Sequence, residues 1–187
     1  MHSKEHISHD EYQKTADWLM SQTKHRPQVA IICGSGLGML ADTLKCQDSF
    51  AYSDIPGFPQ STVQGHAGRL VFGELKGKTC VCMQGRFHMY EGHSLCKVHA
   101  LTSPGLFWGF FLGMSTAPEV VVATHCGLRV FGLSLITNKV SYEDTESVNH
   151  EGVLEIGRLR SHTVQQLVTE LIDRMEINNN DNINKSI

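Results

Sequence analysis

The sequence has no long apolar run, no strong excess of one charge and few prolines. Its most hydrophobic stretch, residues 104–114, reaches roughly half of the ~20 apolar residues that a membrane-spanning helix needs, so we predict no such helix. Sixteen basic and 19 acidic residues give a formal net charge of −3 without a cluster of Lys and Arg, which argues against a generally basic nucleic-acid-binding protein. Five prolines and the lack of an internal repeat exclude collagen-like proteins, and a hydrophobic fraction of 41% excludes a wholly disordered chain.

The six cysteines lack the spacing of a redox or zinc motif. Cys33, Cys80 and Cys82 lie inside apolar runs, which is typical of small core residues. Cys80 and Cys82 share one face of a predicted strand, the wrong arrangement for a CxxC pair. The polar N-terminus lacks the apolar core of a signal peptide. We therefore expect a cytoplasmic protein without a metal site.

A chain of 187 residues suits one domain with a sizeable core. Apolar runs and periodicity predict strands over 28–33, 69–75, 79–84 and 129–136. Helical patterns cover 9–23, 37–44, 117–126 and 149–175, the last with a possible break near Gly157 or Ser161. The turn Lys76-Gly77-Lys78 predicts a hairpin, and the low-complexity tail 176–187 is expected to be disordered. The alternation of strands and helices predicts an α/β domain with a mixed central sheet flanked by helices.

The segment GSGLG, residues 34–38, follows the first predicted strand and has the form of an anion-binding loop. Ser35 adds a hydroxyl donor to the backbone N–H groups. The segment matches neither the dinucleotide fingerprint nor the Walker loop, so a simple tight turn is the alternative.

Other polar side chains also follow predicted strands. Arg86 and His88 stand two residues apart after the strand that ends at residue 84, and they can offer a forked cation and a second donor to phosphate. Asn138 can give and accept hydrogen bonds with a heterocycle. The alternatives are an exposed arginine, a loop histidine and a turn-capping asparagine. Likewise, Tyr90 is a ligand contact or a half-buried aromatic, and His150 contacts a ligand hydroxyl or caps the last helix.

Taken together, these segments resemble the trimeric purine nucleoside phosphorylases. The matching stretches cover most of residues 10–98 and 113–172: HRPQVAIICGSGLG, IPGFPQSTVQGHAGRLVFGELKGK, MQGRFHMYEG, GMSTAPEVVVATHCGLRVFGLSLITNKV and NHEGVL. The resemblance implies a nucleoside-phosphorylase-like fold and the phosphorolysis of 6-oxopurine nucleosides such as inosine and guanosine in purine salvage. It also implies a cytoplasmic homotrimer that takes inorganic phosphate as a substrate and needs no cofactor.

The resemblance also implies roles for the matching positions. The positions that match phosphate-site residues are Ser35, His66, Arg86, His88 and Ser115. The positions that match ribose and purine contacts are Tyr90, Met114, Thr137, Asn138, Val140 and His150. Across the two sets, His88 of the phosphate site and Asn138 of the purine site correspond to catalytic residues.

The sequence departs from the family at residues 99–112, HALTSPGLFWGFFL. The family has on the order of a hundred more residues there, a large part of a domain. They include an Asn-Ala-Ala-Gly-Gly phosphate loop, a phenylalanine lid and a glutamate that binds the purine. We therefore predict an incomplete single domain with halves 10–98 and 113–175, and unpaired strand edges between them. The chain is either a splice or gene-model variant of a phosphorylase, or a shortened relative that binds phosphate or full-length subunits without turnover.

Overall fold

The computed structural model describes residues 9–34, 37–60, 67–85, 110–113, 117–137 and 150–177. Its elements in chain order are α1 (His9–Gln22), β1 (Val29–Cys33), a 3₁₀ helix (Gly38–Thr43), β2 (Lys45–Ala51), a 3₁₀ turn (Tyr52–Asp54), β3 (Arg69–Leu75), β4 (Lys78–Gln84), β5 (Phe110–Gly113), α2 (Ala117–His125), β6 (Val130–Gly132) and α3 (His150–Arg174).

The strands form one six-stranded mixed sheet in the order β2-β3-β4-β1-β5-β6. Strand β1 pairs in parallel with both β4 and β5, and β6 continues the parallel set beside β5. Strands β3 and β2 then add antiparallel to β4 and to each other. The carboxyl ends of four strands therefore point to one edge of the sheet.

Helices cover both faces of this sheet. One core cluster joins Ala16 and Leu19 of α1 and Ala123 of α2 to strand residues such as Ile32. The other joins Val168 of α3 and the 3₁₀ helix to the opposite side of the strands. All five residues of β1 are buried, as expected for a parallel strand that is covered on both faces. The predicted α/β domain with a mixed, flanked sheet is confirmed.

The predictions for α1, β1, β3, β4, α2 and α3 are confirmed within a residue or two. The hairpin between β3 and β4 also forms, with Lys76 and Gly77 both at positive φ, as a two-residue turn matched to the strand twist requires.

Other predictions were wrong in detail. The helical pattern over 37–44 forms only the 3₁₀ helix, because the chain enters β2 directly afterwards. Strand β2 was not predicted, since its exposed sequence KCQDSFA has no apolar run. The strand predicted over 129–136 ends at Gly132, and the possible break in α3 near Gly157 or Ser161 does not occur. The tail from residue 178 lies outside the described residues.

The segment that departs from the family contributes a strand to the sheet. Phe110 to Leu112 belong to it, and together with Gly113 they form β5 between β1 and β6. Strand β1 therefore has a partner on each side, so the unpaired edges predicted between the two halves do not occur at this strand. Within the described ranges, no helix is long and apolar enough to cross a membrane.

Candidate functional site

The candidate site is the edge of the sheet where β1, β4, β5 and β6 end. Their last residues are level, since Cys33 pairs with Gln84, Ile32 with Gly113, and Gly113 with Gly132. Strand β3 starts at the same edge, because Arg69 lies opposite Gln84. Open α/β sheets bind their ligands beyond the carboxyl ends of parallel strands.

The residues predicted to bind phosphate lie outside the described residues: Ser35, His66, Arg86, His88 and Ser115. Their described neighbours in the chain do lie at the candidate edge. Gly34 follows β1, Ala67 and Gly68 lead into β3, Gly85 follows β4, and Gly113 ends β5. The fold thus brings together the chain segments that flank these positions, although they come from four separate parts of the sequence.

The predicted nucleoside contacts are distributed differently. Tyr90, Met114, Asn138 and Val140 lie outside the described residues. Thr137 is half-buried in the segment that follows β6, five positions after Gly132. His150 is the first residue of α3.

Backbone hydrogen bonds join the described residues at either end of the glycine segment after β1. The N–H of Leu37 donates to the carbonyl of Gly34 at 3.1 Å, and the N–H of Leu40 donates to Leu37 at 2.9 Å. Because only a short 3₁₀ helix follows, the macrodipole of an α-helix is missing as an anion-stabilising factor. Any anion bound here depends on backbone N–H groups and on side chains from neighbouring segments.

A polar network that the sequence analysis did not identify supports this edge. Gln84, 4% exposed, accepts a hydrogen bond from Arg69 Nε and donates one from Nε2 to the carbonyl of Gly38. Arg69 Nη2 also donates to Asp42 Oδ1 at 2.8 Å, in the 3₁₀ helix. The one sequence feature that could have indicated this network is the polar amide of Gln84, which directly follows the apolar run TCVCM.

Tyr52 holds the exit of β4 from the other side. Its buried hydroxyl donates to the carbonyl of Gly85 at 2.8 Å, and its N–H donates to the carbonyl of Gly68 at 2.8 Å. The N–H of Gly68 in turn donates to the carbonyl of Gln84 at 2.8 Å. Burial, with a smaller effect of Cys33, raises the pKa of the Tyr52 phenol, so this hydroxyl remains a hydrogen-bond donor. Gly85 has φ of 122°, a conformation that favours glycine.

The thiols of β1 and β4 are core residues, as predicted. Cys33, Cys80 and Cys82 are fully buried and unbridged. Burial raises the pKa of Cys80 to about 12. A hydrogen bond with the Cys33 side chain, together with burial, raises the pKa of Cys82 well above its usual range. These two thiols therefore stay protonated, and the described part of the chain contains no group of side chains suited to hold a metal ion.

Comparisons with known proteins agree with this geometry. The Phosphorylase superfamily model matches residues 110–173. The purine nucleoside phosphorylase of Rattus norvegicus is 37% identical over 276 aligned residues, which cover 89% of this chain and 96% of the rat protein. These are more positions than this chain has, so the alignment includes gaps in this chain.

Two solved structures of Schistosoma mansoni purine nucleoside phosphorylase have the same fold. The complex with inosine has a TM-score of 0.76, and the complex with adenosine has one of 0.77. Each is 26% identical and covers 90% of this chain and 98% of the solved chain. The fold and these matches thus define a phosphorylase-superfamily protein. More narrowly, the chain belongs to the purine nucleoside phosphorylase family, a family of enzymes, and the resemblance inferred from its motifs is confirmed.

Proposed function

We propose that this chain cleaves 6-oxopurine ribonucleosides and deoxyribonucleosides, such as inosine and guanosine, with phosphate. The products are the free base and (deoxy)ribose 1-phosphate, as in purine salvage. The observation that carries the proposal is the convergence of Gly34, Gly68, Gly85 and Gly113 at one edge of the sheet, each next to a family motif. We further propose a cytoplasmic homotrimer, as expected for the family, built from a single domain per chain.

In this proposal, the phosphate site is assembled from loops that leave or enter neighbouring strands. Arginine, histidine and hydroxyl groups suit phosphate oxygens, because charged donors give short, strong hydrogen bonds. The proposed phosphate ligands are Ser35, His66, Arg86, His88 and Ser115. Phosphate is a substrate here, and we propose no metal or organic cofactor.

The nucleoside would lie beside the phosphate. Tyr90, Met114 and His150 are the proposed ribose contacts, and Thr137 and Val140 are the proposed neighbours of the base. Asn138 is the proposed purine-binding amide. A neutral amide can donate to the O6 atom of a 6-oxo base, which favours inosine and guanosine. Since a Schistosoma relative binds adenosine, this preference rests on Asn138 rather than on the family.

The proposed reaction passes through a ribosyl oxocarbenium ion with phosphate on one face and the departing purine on the other. Negative charge grows on the purine as the glycosidic bond breaks. The Asn138 amide can stabilise this charge in the transition state, while His88 helps to hold the phosphate that attacks C1′. Both catalytic residues therefore act by placing charge and hydrogen bonds, and the bound phosphate supplies the nucleophile.

A second candidate function is binding without catalysis. The gaps in the rat alignment favour it, because they show that this chain lacks positions that the relative has, and the resemblance implies a missing block at residues 99–112. A chain that lacks the family's purine-binding glutamate leaves polar groups of the bound purine without hydrogen-bond partners. Each such group costs about 1–3 kcal/mol of binding free energy if it stays buried. Such a variant would bind phosphate or join full-length subunits.

An assay of hypoxanthine release from inosine tests the first proposal. We expect release that depends on phosphate and falls about a hundredfold in Asn138→Ala, because the leaving base loses its amide partner. Ser53→Ala, at an exposed position outside the edge, should leave the rate unchanged. A folded preparation with no release above the Asn138→Ala background would refute catalysis. Calorimetry with phosphate and co-purification with a full-length relative would then test the second candidate.

A further inference from the structure

The buried amide of Gln84 joins three segments of the candidate site. Gln84 is the last residue of β4, opposite Cys33 of β1 and Arg69 of β3. Its side-chain Nε2 donates to the backbone carbonyl of Gly38. Its backbone carbonyl accepts a hydrogen bond from the N–H of Gly68. Buried amides need partners for both their oxygen and their nitrogen, and Gln84 finds both in this position.

Arg69 extends the connection to the 3₁₀ helix. Its Nε donates to Gln84, while Nη2 donates to Asp42 at 2.8 Å. The planar guanidinium fixes the angle between these two partners, which a lysine cannot do. The network therefore links the start of β3 and the end of β4 to the 3₁₀ helix after the glycine segment.

Packing alone does not account for a polar residue here. Gln84 follows the buried Cys82 and Met83 and is itself 4% exposed, so an apolar side chain of similar length would fill the same space. What the amide adds is a fixed position for Gly38 relative to Gly68 and Gly85. These three glycines bound the connections that contain Ser35, His66 and Arg86.

We propose that Gln84 is a positioning residue for phosphate, which acts with Arg69 and Asp42 to hold the glycine segment against the exit of β4. This inference rests on the proposed function, since it assumes that phosphate binds at this edge. Displacements of about 1 Å are enough to reduce enzymatic rates by as much as a hundredfold, so loss of the network should be visible in phosphate affinity.

The test compares Gln84→Met with Gln47→Met. Gln47 offers a matched control, because its amide also donates to carbonyls of the 3₁₀ helix region, at Ala41 and Leu44, but away from the edge. The affinity for inorganic phosphate is measured by calorimetry, and KM for phosphate and KM for inosine are measured separately. We expect Gln84→Met to weaken phosphate binding about tenfold with little change in KM for inosine. Gln47→Met should leave both within about twofold, even if it lowers the melting temperature.

Arg69→Lys is the second variant and covers the case in which Gln84→Met does not fold. Lysine keeps the positive charge but lacks the planar guanidinium that donates to both Gln84 and Asp42. Phosphate affinity should therefore fall by a smaller factor than in Gln84→Met. Three results would overturn the inference. The first is unchanged phosphate affinity in Arg69→Lys or in a folded Gln84→Met. The others are equal weakening in Gln47→Met and the absence of phosphate binding by the wild-type chain. If the phosphate affinities change as expected while the wild-type chain releases no hypoxanthine, the positioning role stands and the proposed catalysis fails.

Discussion

Gly73 leaves room for a close approach between β3 and the segment that enters β2. A Cβ atom on Gly73 would lie 2.7 Å from the carbonyl oxygen of Lys45 and 2.9 Å from Cβ of Leu44. The first of these atoms is backbone, so it cannot move aside as a flexible side chain can. This absence of a side chain allows β2 to reach the sheet at its bulge between Lys45 and Asp48.

We predict opposite effects for two glycine-to-alanine changes. Gly73→Ala should lower the free energy of unfolding by about 1–3 kcal/mol, because the added methyl forces β2 away. Gly157→Ala should raise it by about 0.5–1 kcal/mol, because it adds helix propensity to α3 and its Cβ meets no other atom within 4 Å. Urea denaturation of both variants measures the two changes. A Gly73→Ala protein as stable as the wild type would contradict the close approach.

At the level of single residues, the sequence suggested candidate ligands but not the residues that support the candidate edge. Ser35, Arg86 and Asn138 stood out because they follow predicted strands, at the end of a parallel sheet where ligands bind. The sequence predicts only that Gln84 ends a strand. Its role depends on Gly38 and Arg69, which lie 46 and 15 positions away in the chain. Hydrogen bonds over such separations have no local pattern.

At the level of elements, β5 is the least expected part of the structure. Its sequence FFLG lies in the apolar run 104–114, which is too short to cross a membrane and for which the sequence predicts no strand. In the sheet it pairs with Val29 to Ile32 on one side and Val130 to Gly132 on the other. A short apolar run suits a strand buried in a parallel sheet, but the run alone cannot specify which strand it will pair with.

We predict that the backbone amides of Phe110–Gly113 exchange slowly with deuterium. Strands with partners on both sides exchange only when the sheet opens, so β5 should be protected about as well as β1. Residues 133–137, which include the largely exposed Ile136, provide the rapidly exchanging control. Mass spectrometry of deuterated peptides measures the difference. Exchange in β5 as rapid as in 133–137 would show that this strand does not pair.

Elements with clear local patterns were predicted well, and those without were missed. Helix α1 and strands β3 and β4 have regular apolar spacing and a defined turn. Strand β2 has mostly exposed residues, and its position follows from pairing with β3. The 3₁₀ helix has helical composition, but the start of β2 at Lys45 limits its length.

At the level of the whole molecule, the core encloses several groups that can ionise. Tyr52, Cys80 and Cys82 are all buried, and each has a raised pKa in the folded protein. The neutral forms of these groups are therefore favoured by folding. Their contribution to stability is fully present below their unfolded pKa values of about 9 for the thiols and 10 for the phenol.

We predict that the free energy of unfolding falls as the pH rises above about 9, because the buried groups lose protons only after unfolding. Each group that is ionised in the unfolded state and neutral in the folded state should contribute up to ~1.4 kcal/mol per pH unit. For Cys80 this loss continues until its folded pKa of about 12. Urea denaturation between pH 8 and 11 measures the decline. Tyr52→Phe should make it shallower above pH 10, and a pH-independent free energy would contradict the prediction.

The sequence by itself determined the α/β class, most of the helices and strands, and the family, and it predicted the candidate phosphate and purine ligands. These features depend on residue types and on spacings within short segments, which the chain displays directly. Only the tertiary structure decided that β5 fills the place between β1 and β6, that four strand ends meet at one edge, and that Gln84, Arg69 and Asp42 support it. These features depend on pairing between residues far apart in the chain, which forms only when the whole sheet assembles.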